Sequence, residues 1–304
     1  MADPLSDVVR LLRPRAVLAN PISGKGNWAV RYSEYGQPGF CIVLEGSCRL
    51  AVDGEAPIAI AAGDFVLLPT TPAFTLSSFV PAPPVFIDPK RVPGGDGERR
   101  HGEQQGPPDM RSLGGAFAFD TADAGLLVSL LPRVVHVRGS QRLMLLVQMV
   151  GEEYEQRQPG NEYMLSRLVE MLLIEAMRAS SSGDAPPGLL RGLGDERLAP
   201  ALKQLHARIE HAWSVHELAR HAALSRSSFF ERFSRIVGVA PMEYLLRWRM
   251  EIAKDLLRRG ELNVAQVAER VGYGSSAAFS TAFSRQVGRP PSRYAQAAAS
   301  LAKS

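Results

Sequence analysis

One phrase near the C-terminal end is written twice, 50 residues apart, and it limits the fold of this 304-residue chain more than any bulk property does. Phe233 to Tyr244 and Phe283 to Tyr294 share the pattern F-S-R-x-V-G-x-x-P-x-x-Y, with seven identities in twelve positions. Upstream, Phe229 pairs with Phe279, and Leu218-Ala219 pair with Val267-Ala268 at an offset of 49. A repeat this specific means one supersecondary unit built twice over.

Each copy reads as two short helices joined by a turn. In the first, Val215, Leu218, Ala219 and Ala222 make one apolar face, Ala223-Leu224 turns, and Ser225 can cap the next helix through its hydroxyl. Phe229 and Phe233, four apart, then face inward. In the second copy Val264, Val267, Ala268 and Val271 form the face, Gly272-Tyr273-Gly274 turns, Ser275 caps, and Phe279 with Phe283 anchor. Small Ala219 and Ala268 let the paired helices approach closely. Two short helices so joined are the unit that lays its second helix in the major groove of DNA. Between the copies, Met242–Arg258 is amphipathic over 17 residues. A helix of that length spans about 25 Å, so the two reading helices are expected roughly one DNA turn, ~34 Å, apart on one face.

Charge agrees with this reading. The net charge is only +4, yet residues from Arg197 onward hold 17 Lys/Arg against 8 Asp/Glu, while the rest hold 18 against 23. A basic domain (+9) is therefore joined to an acidic one (−5), a common footprint of phosphate binding by counterion release. A plain helical bundle with a duplicated core would share the apolar spacing but neither the capped turns nor the charge.

The preceding half reads as short strands. Phe40–Leu44 and Ser47–Val52 flank Glu45-Gly46, which suits a two-residue hairpin turn; Ala56–Ile60 and Phe65–Leu68 follow across Ala62-Gly63-Asp64. Such spacing suits a small barrel or sandwich. Pro89–Ser112 lacks an apolar period and is expected to be a loop, and Leu113–Val137 to return strands to the sheet. Gln141–Arg157 and Asn161–Ala179 are expected helices. Leu165, Leu168, Leu172 and Ala176 share a face of the second, which suits either a dimer contact or packing on its own barrel. Ser180–Leu193, rich in Ser, Gly and Pro, reads as a linker. Met1–Val9 carries acids where a signal peptide needs positive charge, and no apolar run approaches the ~18 residues of a membrane helix, so a soluble cytoplasmic protein is expected.

From Ala199 to Ala295 the residues resemble the AraC/XylS family of transcription regulators. The stretch MEYLLRWRMEIAKDLLRRGELNVAQVAERVGYGSSAAFSTAFSRQVGRPPSRY is similar to that family's linker helix and second unit almost throughout. The resemblance implies reading helices at Arg226–Arg235 and Ser276–Arg285. Base-facing positions fall on Ser227, Phe230 and Glu231, then on Ser276, Ala277 and Thr281. The family often has arginine where Glu231 and Thr281 stand. Glu can instead accept from cytosine N4, and Thr can touch a thymine methyl. The small side chains of the second helix suit positioning more than sequence reading. Arg226, Arg232, Arg235, Arg285, Arg289 and Arg293 are phosphate candidates, or else solvated or salt-bridged surface arginines. The resemblance further implies promoter DNA, RNA polymerase and a small-molecule effector as partners, activation, and a homodimer.

Gly63-Asp64-Phe65-Val66-Leu67-Leu68-Pro69 resembles a cupin motif, but Thr71 and Phe74 follow where cupin enzymes place a Gly and a metal-binding His. Phe40-Cys41-Ile42-Val43 lacks the His-x-His, and no His precedes His101. A metal needs three or four convergent ligands, so no metal, cofactor or catalytic residue is expected. His206, His211, His216 and His221 recur every five residues, ~140° apart on a helix, and do not share a face. Cys41 and Cys48 are redox candidates, though on a Glu45-Gly46 hairpin they would be diagonal neighbours about 7–8 Å apart, beyond comfortable disulfide reach, and buried thiols are the alternative. The expected architecture is α+β: a cupin-like β-barrel with appended helices over residues 1–180, a linker over 181–196, and an all-α domain over 197–304 with two helix-turn-helix units joined by a linker helix.

Overall fold

The computed structural model describes residues 3–18, 21–91, 97–119, 131–156, 158–179 and 187–301. The chain divides into two compact units. One is Arg13–Ser180; the other joins Met1–Leu12 to Ser181–Ser304.

The first unit is built around strand β4, Gly39–Val52, which runs unbroken for 14 residues. The expected hairpin at Glu45-Gly46 is thus corrected. Gly46 lies within the strand, where a Cβ would land on the carbonyl of Asp109, the residue just before β10, so glycine serves close approach rather than reversal. The first half of β4 pairs with β6 (Phe65–Leu68) and β10 (Met110–Phe119), and its second half with β5 (Ile58–Ala61) and β7 (Phe74–Ser77). A register shift between Arg111 and Ser112 of β10 marks the switch. The sheet continues through β1 (Pro14–Leu18), β2 (Ile22–Lys25), β3 (Ala29–Tyr32), β8 (Val85–Ile87), β9 (Arg99–Gly102) and β11 (Val135–Val137). It encloses a core that includes Val30, Val43, Cys48, Leu50, Ile60 and Leu76.

The polar segment expected to be a loop therefore contains β9, paired in parallel with β2, and the start of β10. Residues 92–96 of that segment, and 120–130 of the expected strand return, lie outside the described residues. Helices α2 (Gln141–Gln156) and α3 (Asn161–Ala179) complete the unit. The α3 stripe of Leu165, Leu168, Leu172 and Ala176 is fully buried, and α3 packs on α2, β1, β6 and β11. Of the two roles open to that stripe, the unit's own core takes it. Met164 and Met171 remain exposed on α3, as do Leu145 and Met149 on α2.

The second unit is helical. Helix α1, Pro4–Leu12, buries Pro4, Val8 and Leu12, the spacing of one helical face, and packs on α5 (Leu198–Ala207) and α8 (Pro241–Arg259). Helix α1 groups with the helices of this unit, and the segment read as a linker contains α4, Leu189–Gly194, whose Leu189 and Leu190 are buried. The doubled phrase occupies the remainder, with α6 (Val215–His221), α7 (Arg226–Val237), α9 (Val264–Arg270), α10 (Ser276–Val287) and α11 (Pro291–Leu301). Among the described residues no helix is long and apolar enough to cross a membrane.

Candidate nucleic-acid interface

The Phe, Gly, Pro and Tyr of the repeated phrase each have a structural task, and both copies perform it alike. The Ser225 hydroxyl accepts from the Ser228 amide at 3.2 Å, and Ser275 accepts from Ala278 at 3.2 Å, so both reading helices begin on a capped turn. Phe229 and Phe233 meet at 5.5 Å between centroids, as do Phe279 and Phe283. Gly238 and Gly288 close the two helices in the left-handed conformation, with φ of 84° and 80°. Pro241 and Pro291 then start the following helices. Tyr244 returns its ring edge to Phe233 at 5.8 Å, and Tyr294 to Phe283 at 5.6 Å.

The turns differ by one residue, which is why the offset grows from 49 to 50. The amide of Leu224 donates to Ala219 O at 3.0 Å, and that of Tyr273 to Ala268 O at 2.9 Å, so the two chains run alike up to this point. Gly274 is then the extra residue before Ser275. The helix preceding the second turn opens on a capping box between Asn263 and Gln266, an N-x-x-Q signal not used in the sequence reading.

With the phenylalanines turned inward, the opposite face of each reading helix is left to solvent. Arg226, Ser227, Phe230, Glu231 and Arg235 are all exposed on α7, and Ser276, Ala277, Thr281 and Arg285 on α10. Each helix thus presents its candidate residues together. Thr281 donates its hydroxyl proton to Ala277 O at 3.1 Å, which leaves its methyl group and oxygen lone pairs for recognition. Arg226, Arg235 and Arg285 form no ion pair with the described residues, and neither does Glu231.

Arg232 takes the second of the two roles expected for it, that of a salt-bridged arginine. Its Nε and Nη2 grip the Asp195 carboxylate at 3.1 and 2.6 Å, and Asp195 also accepts from the Leu198 amide at 3.0 Å. Burial alone would raise the Asp195 carboxyl, but the Arg232 and backbone hydrogen bonds outweigh it and hold the group below the usual carboxylate range. Arg232 is therefore an internal strut between α7 and the start of α5. Arg289 is partly engaged too, its guanidinium lying 4.6 Å from the Tyr294 ring.

Sequence reasoning missed Arg249. From the inner side of α8 it donates to Ile209 O at 2.9 Å and to His211 O at 2.7 Å, and its guanidinium sits 5.9 Å from the ring of Tyr273. The loop before the first lobe and the turn of the second are thereby tied to one side chain. A lone arginine among the apolar positions of the linker helix was the available signal.

In the β unit, Cys41 faces Gly114 and Val66, and Cys48 faces Ile60; both thiols are free. The hairpin geometry used to relate them does not exist. Burial pushes the Cys41 thiol up to about 11, and burial also raises that of Cys48, so neither is a ready thiolate at neutral pH. Among the described residues, no group of three or more His, Cys, Asp or Glu side chains is placed to hold a metal ion.

Comparison with known proteins places both halves. The cupin family matches residues 3–181, and a helix-turn-helix domain family matches residues 218–297. A Streptomyces lividans protein named as an AraC-like transcription regulator is 36% identical over 299 residues, covering 96% of this chain and 97% of its own. A protein of the same name from Streptomyces antibioticus is 37% identical over 299 residues, covering 96% and 98%. The HTH-type transcriptional regulator AlkR of Acinetobacter baylyi is 30% identical over 287 residues, covering 90% and 93%.

Proposed function

The chain belongs to the AraC-like family of transcription regulators and is a DNA-binding regulator itself, and on that footing we propose that α7 and α10 read a specific operator in consecutive major grooves. The observation that carries this is the pair of capped helices, both fixed to α8, whose solvent faces hold the base-facing candidates together with Arg226, Arg235 and Arg285. Ser227, Phe230 and Glu231 face bases from the first helix. Ser276, Ala277 and Thr281 do so from the second, with small side chains that suit positioning. Arg226, Arg235 and Arg285 neutralise phosphates.

The sensor is the β unit, Arg13–Ser180, and the reader is the helical unit with α1 included. The protein acts in the cytoplasm as a homodimeric activator that answers a small-molecule effector and contacts RNA polymerase; it has no catalytic role. Exposed Leu145, Met149, Met164 and Met171, on two adjacent helices, support a dimer contact on that side of the unit.

Selection of bound sequences from random duplexes, followed by footprinting, tests the reading. Protection of two major-groove segments about ten base pairs apart on one face is expected. Protection of a single groove, or binding with no sequence preference, would refute it.

A further inference from the structure

The β unit contains a cavity of about 240 Å³. Its lining includes Tyr32, Leu50, Val66, Leu68, Phe74 and Leu76. The space exists because one strand pair supplies almost no side chain there. Gly114 and Ala116 of β10 stand opposite Cys41 and Gly39 of β4, and all four line the cavity. A Cβ on Gly114 would meet only the Phe40 carbonyl oxygen, at 3.6 Å, so the backbone has room for a side chain that it does not carry.

The lining is uncharged. Among the described residues, no Lys, Arg, His, Asp or Glu reaches the cavity. The Thr71 hydroxyl is committed to backbone, 2.6 Å from Gln37 O and 3.1 Å from Leu68 O. Tyr32 stacks on Phe74 at 4.7 Å, so its ring is a wall and its hydroxyl, with that of Tyr35, is the polar group left for a guest. Arg99 acts electrostatically on Tyr32 but is not part of the lining, so an ionised guest would lose its hydration here without a direct ion-pair partner, and a sugar would leave several hydroxyls unmet.

We propose that the cavity binds an uncharged, largely hydrocarbon molecule of roughly ten non-hydrogen atoms, scaled from a ~150 Å³ apolar cavity that takes benzene. This deepens the proposed sensor role and rests on it for its biological meaning. The guest bears no more than one or two hydrogen-bonding groups and is held without a covalent bond.

Calorimetry on the full chain with 1-naphthol, 1-naphthoate and glucose tests the class. 1-Naphthol binds one to one, 1-naphthoate binds at least tenfold more weakly, and glucose gives no heat. Gly114→Leu, or Ala116→Leu should the first fail to fold, weakens 1-naphthol at least tenfold while keeping the wild-type circular dichroism. Without any variant, 1-naphthol slows alkylation of Cys41 at pH 9 and leaves that of Cys48 unchanged. Equal binding of the anion, or no protection of Cys41, overturns the proposal. Naphthol that binds but leaves operator affinity unchanged refutes the sensor role and leaves the ligand class standing. A charged compound that shifts operator affinity where naphthol does not bind refutes the class and leaves the sensor role.

Discussion

The guanidinium of Arg249 occupies the space that a Cβ at position 272 would need. The arginine is fixed there by the carbonyls of Ile209 and His211, and Gly272 sits with φ of 81° in the turn of the second lobe. One side chain of the linker helix therefore sets how both lobes stand on it.

Replacing Arg249 with Ala should remove two charge-assisted hydrogen bonds at a half-buried site, a loss of about 1.5–3 kcal/mol. The functional signature is sharper than the stability one. Affinity for an operator with both half-sites should fall more than affinity for a single half-site, because the error lies in lobe orientation. Equal loss on both duplexes would assign Arg249 a purely structural role. Gly272→Ala combined with Arg249→Ala should be less damaging than the sum of the two, since removing the guanidinium relieves part of the clash.

The equivalent residue of the first turn is Ala223, at the offset of 49, and it holds φ of 51° with a side chain in place. An L-residue there is held about 1–2 kcal/mol above its preferred conformation. Ala223→Gly should consequently stabilise the protein by about 0.5–1 kcal/mol, after the larger unfolded-state freedom of glycine is deducted. Gly272→Ala should destabilise by about 2 kcal/mol or more, because strain and collision with Glu210 O and Arg249 add. Urea titrations of the two variants should move in opposite directions. Movement in the same direction would break the equivalence of the turns.

The repeated half was legible because its determinants are local. Ser225, Ser275, the paired phenylalanines and the closing glycines all act within one turn of their own position, and Arg226 and Ser276 begin the helices where the caps imply. The β unit was less legible because its determinants are distant in sequence. Gly46 reads as a turn residue until Asp109, more than 60 positions away, is seen to pass over it. Arg99–Gly102 has no apolar period because it is a polar strand whose order comes from parallel pairing with β2. Pro4, Val8 and Leu12 do carry a helical spacing, yet their partners lie beyond residue 190. Arg232 and Arg235 look alike in sequence; only the position of Asp195 separates a strut from a free cation.

His206 gives the helical unit a pH dependence. It is buried between α1 and α8, its Nε2 is 2.7 Å from the Tyr244 hydroxyl, and its ring packs 4.4 Å from that of Trp248. Burial lowers its pKa below the ordinary value of 6.5, while Asp7, 3.8 Å from Nδ1, pulls partly the other way. The unfolded chain therefore takes up a proton at a higher pH than the folded one. Stability is full above pH 6.5 and is lost as pH falls from there toward the folded value, by at most about 1.4 kcal/mol per pH unit. His206→Gln should flatten that part of the stability curve. An unchanged slope between pH 6.5 and 5 would exclude His206 as its source.

The free arginines of α7 and α10 and the engaged Arg232 should separate in salt titrations. Each phosphate contact released contributes about one unit to the slope of log affinity against log salt. Arg226→Gln, Arg235→Gln and Arg285→Gln should each reduce that slope by about one and leave the melting temperature within a degree or so, since none holds an internal partner. Arg232→Gln should do the reverse. It leaves Asp195 with backbone donors alone and loosens α7 from the start of α5, at about 1 kcal/mol once solvent screening of a partly exposed pair is allowed for. The salt slope should stay put, because that guanidinium faces the protein. Were Arg232→Gln to lower the slope while the melting temperature held, the strut would be a phosphate contact after all, and the face of α7 assigned to DNA would have to be rotated by about a quarter turn.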